Sequence, residues 1–202
     1  MATKDFNNNG IEYVDFELPS GTLWATKNVG ASKATDFGLY FQWGDTQGYS
    51  KDQVGTKSGQ KRFSWNDYKF KKTSTKYKTY GDTLDLEDDA ANKNMGGDWH
   101  IPTPNQCQEL LDNTTTAWTT FDGVSGIKFT SKKDASKYIF IPATGCAWGI
   151  SVRGSEYTGN IWTSMLSDYC IDFGQRVFFN TGGVKIGTSN RNLGLSIRAV
   201  IG

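Results

Sequence analysis

The sequence predicts an α+β domain with two short helices, small antiparallel sheets and long loops. Three observations carry that prediction. Only 37% of the 202 residues are hydrophobic, yet aromatics reach 14% and there are 23 Gly. Few aliphatics with many rings and many glycines suit short strands and well-packed loops better than a helical bundle. The periodic segments also come in the order strands, two helix patterns, strands. The length suits one large domain or two small ones and is enough to bury a core. No repeat or composition shift divides the chain, so 11–202 reads as one domain after a flexible polar lead-in over 1–10.

Alternation of Tyr13 and Asp15 with Val14 and Phe16 predicts a strand over 12–16. Pro19-Ser20-Gly21 is a turn, and Leu23-Trp24-Ala25 is the next strand, closed by Asn28-Val29-Gly30. Residues 37–43 (FGLYFQW) read as a strong strand ended by Gly44-Asp45. An excursion without helical period follows, over about 46–83. Its Lys57, Lys61, Arg62, Lys69, Lys71, Lys72, Lys76 and Lys78 interleave with Phe63, Trp65, Tyr68, Phe70, Tyr77 and Tyr80. Basic-aromatic mixtures can bind nucleic acid, but a solvated, partly packed surface loop accounts for the same pattern.

A short helix starts over 86–91, its early acids suiting the positive end of the helix dipole, and Gly96-Gly97 stops it. The second helix is better signed. Thr103 is a good N-cap, Pro104 fits the first helical position and Gln106 the capping-box position. Over 104–112 it places Cys107, Leu110 and Leu111 on one face, which makes Cys107 a core residue. Residues 115–121 form a strand, and 126–130 with 138–142 a hairpin joined through Lys132-Lys133-Asp134. A Gly-rich loop covers 143–160. Trp162 opens the last sheet, whose strands include 177–179 and 195–200.

The formal net charge is +1, so no global field draws nucleic acid. No apolar run approaches the ~20 residues of a membrane span, so no membrane insertion is expected. The N-terminal residues lack the apolar segment of a secretory signal. Three cysteines without short spacing (Cys107, Cys146 and Cys170) argue against a zinc site and a full disulfide framework; which pair, if any, would join is left open. The single histidine, His100, has no partner nucleophile in sequence and reads as structural.

The last quarter differs in kind. Framework residues (Gly159-Asn160, Trp162-Thr163-Ser164, Val177, Phe179, Val184 and 194–200) alternate with positions that follow no packing rule. That pattern reads as a scaffold displaying a surface, where an active site would need convergent titratable groups. On strand alternation Phe178 points opposite to Val177 and Phe179, and exposed Tyr, Phe and Arg are typical binding anchors.

The segments LPSGTLWAT (18–26), GGDWHIPT (96–103) leading into a helix, IFIPATG (139–145), GNIWTS (159–164) and the terminal GLSIRAV (194–200) together resemble the major-paralogous-domain proteins of gut Bacteroidales and their phages. That family is similar to the C-type-lectin-like branch that includes the formylglycine-generating enzyme. The resemblance spans roughly 11–200 and implies a C-type-lectin-like fold with Trp24, Trp43, Trp99 and Trp162 as large anchors. Arg198, in an apolar strand, then needs a buried acid or loop carbonyls as partner, with Asp36, Asp88 and Asp89 the candidate acids.

The enzyme branch binds copper through two closely spaced late cysteines. Here Cys170 stands alone in that region and Cys146 lies well before it, so paired thiolates are lacking and no catalytic residue is assigned. Asp88 and Asp89 sit at a helix start, where carboxylates serve structure. The binding branch presents its C-terminal loops and strands to ligand. It includes variable proteins of diversity-generating retroelements, in which Asn codons are rewritten while the framework stays fixed. Asn160, Asn180, Asn190 and Asn192 suit that reading. The implied contact residues are Tyr157, Ile161, Ser167, Asp168, Tyr169, Arg176, Phe178, Ile186, Thr188, Asn190 and Asn192.

The expected role is thus a receptor-binding or adhesin domain. It would act on a virion (phage tail) or at the cell surface, recognising a bacterial cell-surface protein or glycan. Oligomers would arise through a larger assembly. The alternatives are a formylglycine-generating-type oxidase and a purely structural fibre or surface module. Related folds hold calcium through loop carboxylates, but no loop shows a dense acidic run; no calcium site and no other cofactor is assigned.

Overall fold

A computed structural model describes residues 5–6, 10–71 and 74–202. The lead-in expected over 1–10 lies largely outside the described residues, as does Lys72. The strands are β1 (Asp5–Phe6), β2 (Glu12–Asp15), β3 (Leu23–Ala25), β4 (Thr114–Phe121), β5 (Val124–Ser131), β6 (Tyr138–Pro142), β7 (Cys146–Trp148), β8 (Ser151–Arg153), β9 (Gly159–Leu166), β10 (Phe173–Asn180), β11 (Gly183–Asn190) and β12 (Val200–Ile201). The α-helices are α1 (Ala90–Met95) and α2 (Pro104–Asn113). All strands fall in four small antiparallel sheets, ordered β1-β2-β3-β12, β4-β5-β6, β7-β8 and β11-β10-β9.

The architecture is therefore mainly β, which corrects the α+β expectation. The first predicted helix shrinks to a 3-10 turn over Leu86–Asp88 and the single six-residue helix α1. Asp89 caps α1 by accepting from the Asn92 N–H, and Gly96 ends it. Two helices of six and ten residues cannot make a layer. Meanwhile the stretch expected as a Gly-rich loop over 143–160 contains the β7-β8 hairpin, a second departure from the sequence reading.

The second helix forms as its caps dictate. The Thr103 hydroxyl accepts from the Gln106 N–H, and the Gln106 side chain accepts from the Thr103 N–H. Cys107 and Leu110 are buried on the face it turns inward. Two predicted strands do not form as such. Over 37–43 only Tyr40 and Phe41 bridge, to Tyr49 and Leu195. Over 195–199 the backbone pairs in turn with Phe41, Trp162, Val29 and Ala25. Leu195, Ser196, Ile197 and Ala199 each bond a different neighbour, so these buried segments tie the sheets together without a ladder of their own.

Two cores result. One gathers Trp43, Trp99, Trp162, Tyr68, Phe70, Tyr77, Leu195 and Ile197. The other gathers Trp24, Phe16, Leu110, Ile127, Phe129, Ile141, Val177 and Phe179. Each buried Trp removes on the order of 200 Å² from water, about 5 kcal/mol of gross transfer free energy, so four rings replace the missing helical layer as anchors. The excursion over 46–83 feeds the first core. Tyr68, Phe70 and Tyr77 are buried in it, Phe63 joins Tyr40 and Ala147 in a third, smaller cluster, and Lys69 and Lys76 stay outward and pair with Asp88.

Strand β9 of sheet β11-β10-β9 lies between the two large cores. Along it, Ile161 enters the second core and the next residue, Trp162, the first. This alternation is what strand geometry demands of a strand covered on both faces.

Candidate binding surface on the C-terminal sheet

Strands β10 and β11 form a hairpin in which Val177 opposes Ile186 and Phe179 opposes Val184. These four side chains point to the second core. The alternate row therefore points the other way, with Phe178 opposite Lys185 and Arg176 opposite Gly187. The Arg176 guanidinium lies 5.0 Å from the centre of the Phe178 ring and the Lys185 ammonium 5.6 Å from it. Arg176 Nε also donates to the Thr188 carbonyl at 3.0 Å. A shallow depression of about 150 Å³ lies beside Phe178, Asn180 and Lys185.

The β7-β8 hairpin extends this surface. Arg153 opposes Cys146 across the hairpin, and its guanidinium lies 4.7 Å from the Trp148 ring. The Cys146 thiol is within electrostatic reach of both Arg153 and Arg176. Burial pushes it up to about 11, against the pull of the two cations. Burial likewise lowers Arg176 from its ordinary value. Trp148, Ile150 and Tyr157 are exposed large apolar side chains.

A second group sits on the opposite face, past the end of the core. Gln175 opposes Thr188, continuing the row of Val177 and Ile186. The Tyr169 hydroxyl bonds the Thr188 hydroxyl at 2.6 Å, and the Tyr169 ring meets Phe173 edge-on at 6.3 Å. Asp168 is exposed beside it, and Gln175 Nε2 lies 3.5 Å from its Oδ1.

The expected contact residues thus divide. Tyr157, Asp168, Tyr169 and Asn190 are exposed; Arg176, Phe178, Ile186 and Thr188 are half-buried. Three require correction. Ile161 is buried because it packs against its strand partner Val177. Ser167 is fully buried, and its hydroxyl accepts from the Tyr169 and Cys170 N–H groups to hold the turn between β9 and β10. Asn192 is buried, its carbonyl accepting from Gln42 at 2.8 Å. Asn160, expected as a rewritten codon, is also buried, with its amide donating to the Gly145 carbonyl.

The structure adds Trp148, Ile150 and Arg153 to this surface, and Lys185, which stands between framework anchors in the sequence, joins them. The signal for the first three was present: Gly149-Ile150 between short alternating segments is a Gly-X hairpin turn.

The other candidate groups serve structure. His100 rests its Nδ1 3.0 Å from the Asp98 carbonyl. All three cysteines are free, and Cys107 is buried in the second core. Arg198 is fully buried and meets no acid. It donates to the Asn28 side-chain oxygen and to the Ala25 and Phe140 carbonyls, so of the two expected kinds of partner it takes carbonyls, supplied by strands β3 and β6, and none of the acids Asp36, Asp88 and Asp89. The carboxylates of Asp85, Glu87 and Asp88 converge within 4.8 Å. Lys76 bonds all three of them, so its ammonium occupies the place a metal ion would take. No protein-family model, curated protein or solved structure matches this chain.

Proposed function

We propose that this chain is a ligand-binding domain that presents the outer side of β10-β11, with the β7-β8 hairpin, to a bacterial cell-surface protein or glycan. The observation that carries the reading is the alternation at 176–179. Val177 and Phe179 anchor the core, while the alternate residues Arg176 and Phe178 point to the other face, half-buried and outside the core clusters. A strand built that way tolerates exchange of its outward residues. That property is what a diversified variable protein of a retroelement requires, and the resemblance of the framework segments points the same way. Such a domain would act on a phage virion or a cell surface, where several copies convert weak single sites into firm attachment.

Two experiments test this. Alanine at Trp148, Arg176 and Phe178 together is expected to abolish attachment to the host cell; unchanged attachment to every candidate host overturns the surface. At the encoding locus, the expectation is a near-copy of the 3′ end of the gene beside a reverse transcriptase, differing at adenines. Without that copy the diversification falls and a fixed binding surface remains.

A further inference from the structure

The outward side chains of this surface carry a consistent charge. Arg153, Arg176 and Lys185 are its cations, and none forms an ion pair with a described carboxylate. The ion pairs among the described residues all involve other lysines. The three are contiguous: Arg153 opposes Cys146 across the β7-β8 hairpin, Asn160, the strand partner of Phe178, donates to the carbonyl of Gly145 just before Cys146, and Arg176 and Lys185 share the Phe178 ring. On a chain of net charge +1, three unopposed cations on one face are a local excess, and burial of Arg176 makes its missing counter-ion more costly. Two aromatic rings, Trp148 and Phe178, hold the guanidinium groups in place, which lowers the entropy lost when they bind an anion.

We infer that the ridge formed by Trp148, Arg153, Arg176, Phe178 and Lys185 binds an acidic glycan, with sugar carboxylates on the cations and ring faces against the exposed indole. The inference rests on the proposed ligand surface and names its ligand class. An open ridge with only a shallow depression suits an extended polymer, not a small molecule that needs enclosure. Anion binding there supplies the counter-charge that the fold itself withholds.

The test measures binding of the intact chain to immobilised polygalacturonate and to neutral dextran across a salt series. Binding to polygalacturonate alone is expected, weakening steadily with salt. The triple change Arg153→Gln, Arg176→Gln, Lys185→Gln is expected to weaken it by about tenfold or more. Because Arg176 is half-buried, the exposed pair Arg153→Gln, Lys185→Gln is measured beside it with its melting temperature; it is expected to fold as wild type and lose part of the binding. Equal binding to dextran, no salt dependence, or an unaffected pair variant overturns the inference. Tighter binding to a single-stranded oligonucleotide than to polygalacturonate also overturns it, in favour of nucleic acid. If polygalacturonate fails while the alanine triple still abolishes host attachment, only the acidic-glycan class falls; if both fail, the surface itself falls.

Discussion

Arg198 donates from both Nε and Nη2 to the single side-chain oxygen of Asn28, at 3.1 and 2.9 Å. A fully buried guanidinium is thus held by a neutral amide and two carbonyls, and burial lowers its pKa to about 9. Removing one partner from a buried charge costs about 3–5 kcal/mol. Asn28→Ala is therefore expected to destabilise the chain by about 3 kcal/mol, read as a lowered denaturant midpoint. Arg198→Met should cost at least as much, since it strands the Asn28, Ala25 and Phe140 oxygens together. A midpoint for Asn28→Ala within error of wild type would show that this cluster does not hold the fold.

Gly159 and Gly187 separate framework from display. A Cβ on Gly159 would lie 1.9 Å from Phe179 Cζ, inside the second core; one on Gly187 would meet nothing within 4 Å. Gly159→Ala is expected to cost about 3 kcal/mol or more through overpacking, and Gly187→Ala to stay within about 0.5 kcal/mol. Phe179→Leu added to Gly159→Ala should recover part of the loss, a non-additivity that thermal melts of the four variants would reveal.

Local signals in the sequence were read well where one residue determines the outcome. Thr103, Pro104 and Gln106 specified the start of α2, and the alternation around Val177 specified which side chains of β10 enter the core. What failed depended on partners distant in sequence. Nothing local tells that 195–199 will bond four different segments, or that Ile161 faces Val177 while Ser167 is sealed beneath a turn. The outward rows of β10 were legible, but the β7-β8 hairpin beside them was not, because the abundant glycines of 143–160 suggested a loop. Arg198 shows the same limit: its apolar neighbours call for an acid or carbonyls around a buried guanidinium, but nothing local selects the carbonyls of two distant strands and the Asn28 amide over an acid.

The β4-β5 hairpin turns through Asp122-Gly123, with φ of 47° and 79°. Both central residues are left-handed, the geometry that favours Asp-Gly in two-residue turns. A Cβ on Gly123 would touch nothing, so Gly123→Ala isolates the conformational cost of φ > 0, about 1–2 kcal/mol. Asp122→Asn is expected to change stability by less than about 0.5 kcal/mol, because Asn tolerates the same conformation. Equal midpoints for Gly123→Ala and wild type in a urea titration would remove the turn as the element fixing the β4-β5 register.

The Cys146 thiol gives a pH dependence whose sign follows from its environment. Burial raises it from an ordinary 9.0 to about 11 in the folded chain. Between those values the unfolded chain releases the proton and the folded chain keeps it. The stability contributed by the protonated thiol is thus complete below pH 9 and lost as pH rises through 11, on the order of 2 kcal/mol. Other buried phenols and thiols titrate in the same direction, so the comparison must be with Cys146→Ser, which removes this one proton. Wild type is expected to lose more stability than the variant between pH 8 and 11, and alkylation of Cys146 to keep accelerating beyond pH 9. Parallel stability curves for the two proteins would mean that water reaches the thiol between Arg153 and Arg176, and that the two guanidinium groups are more solvated than their packing against Trp148 and Phe178 implies.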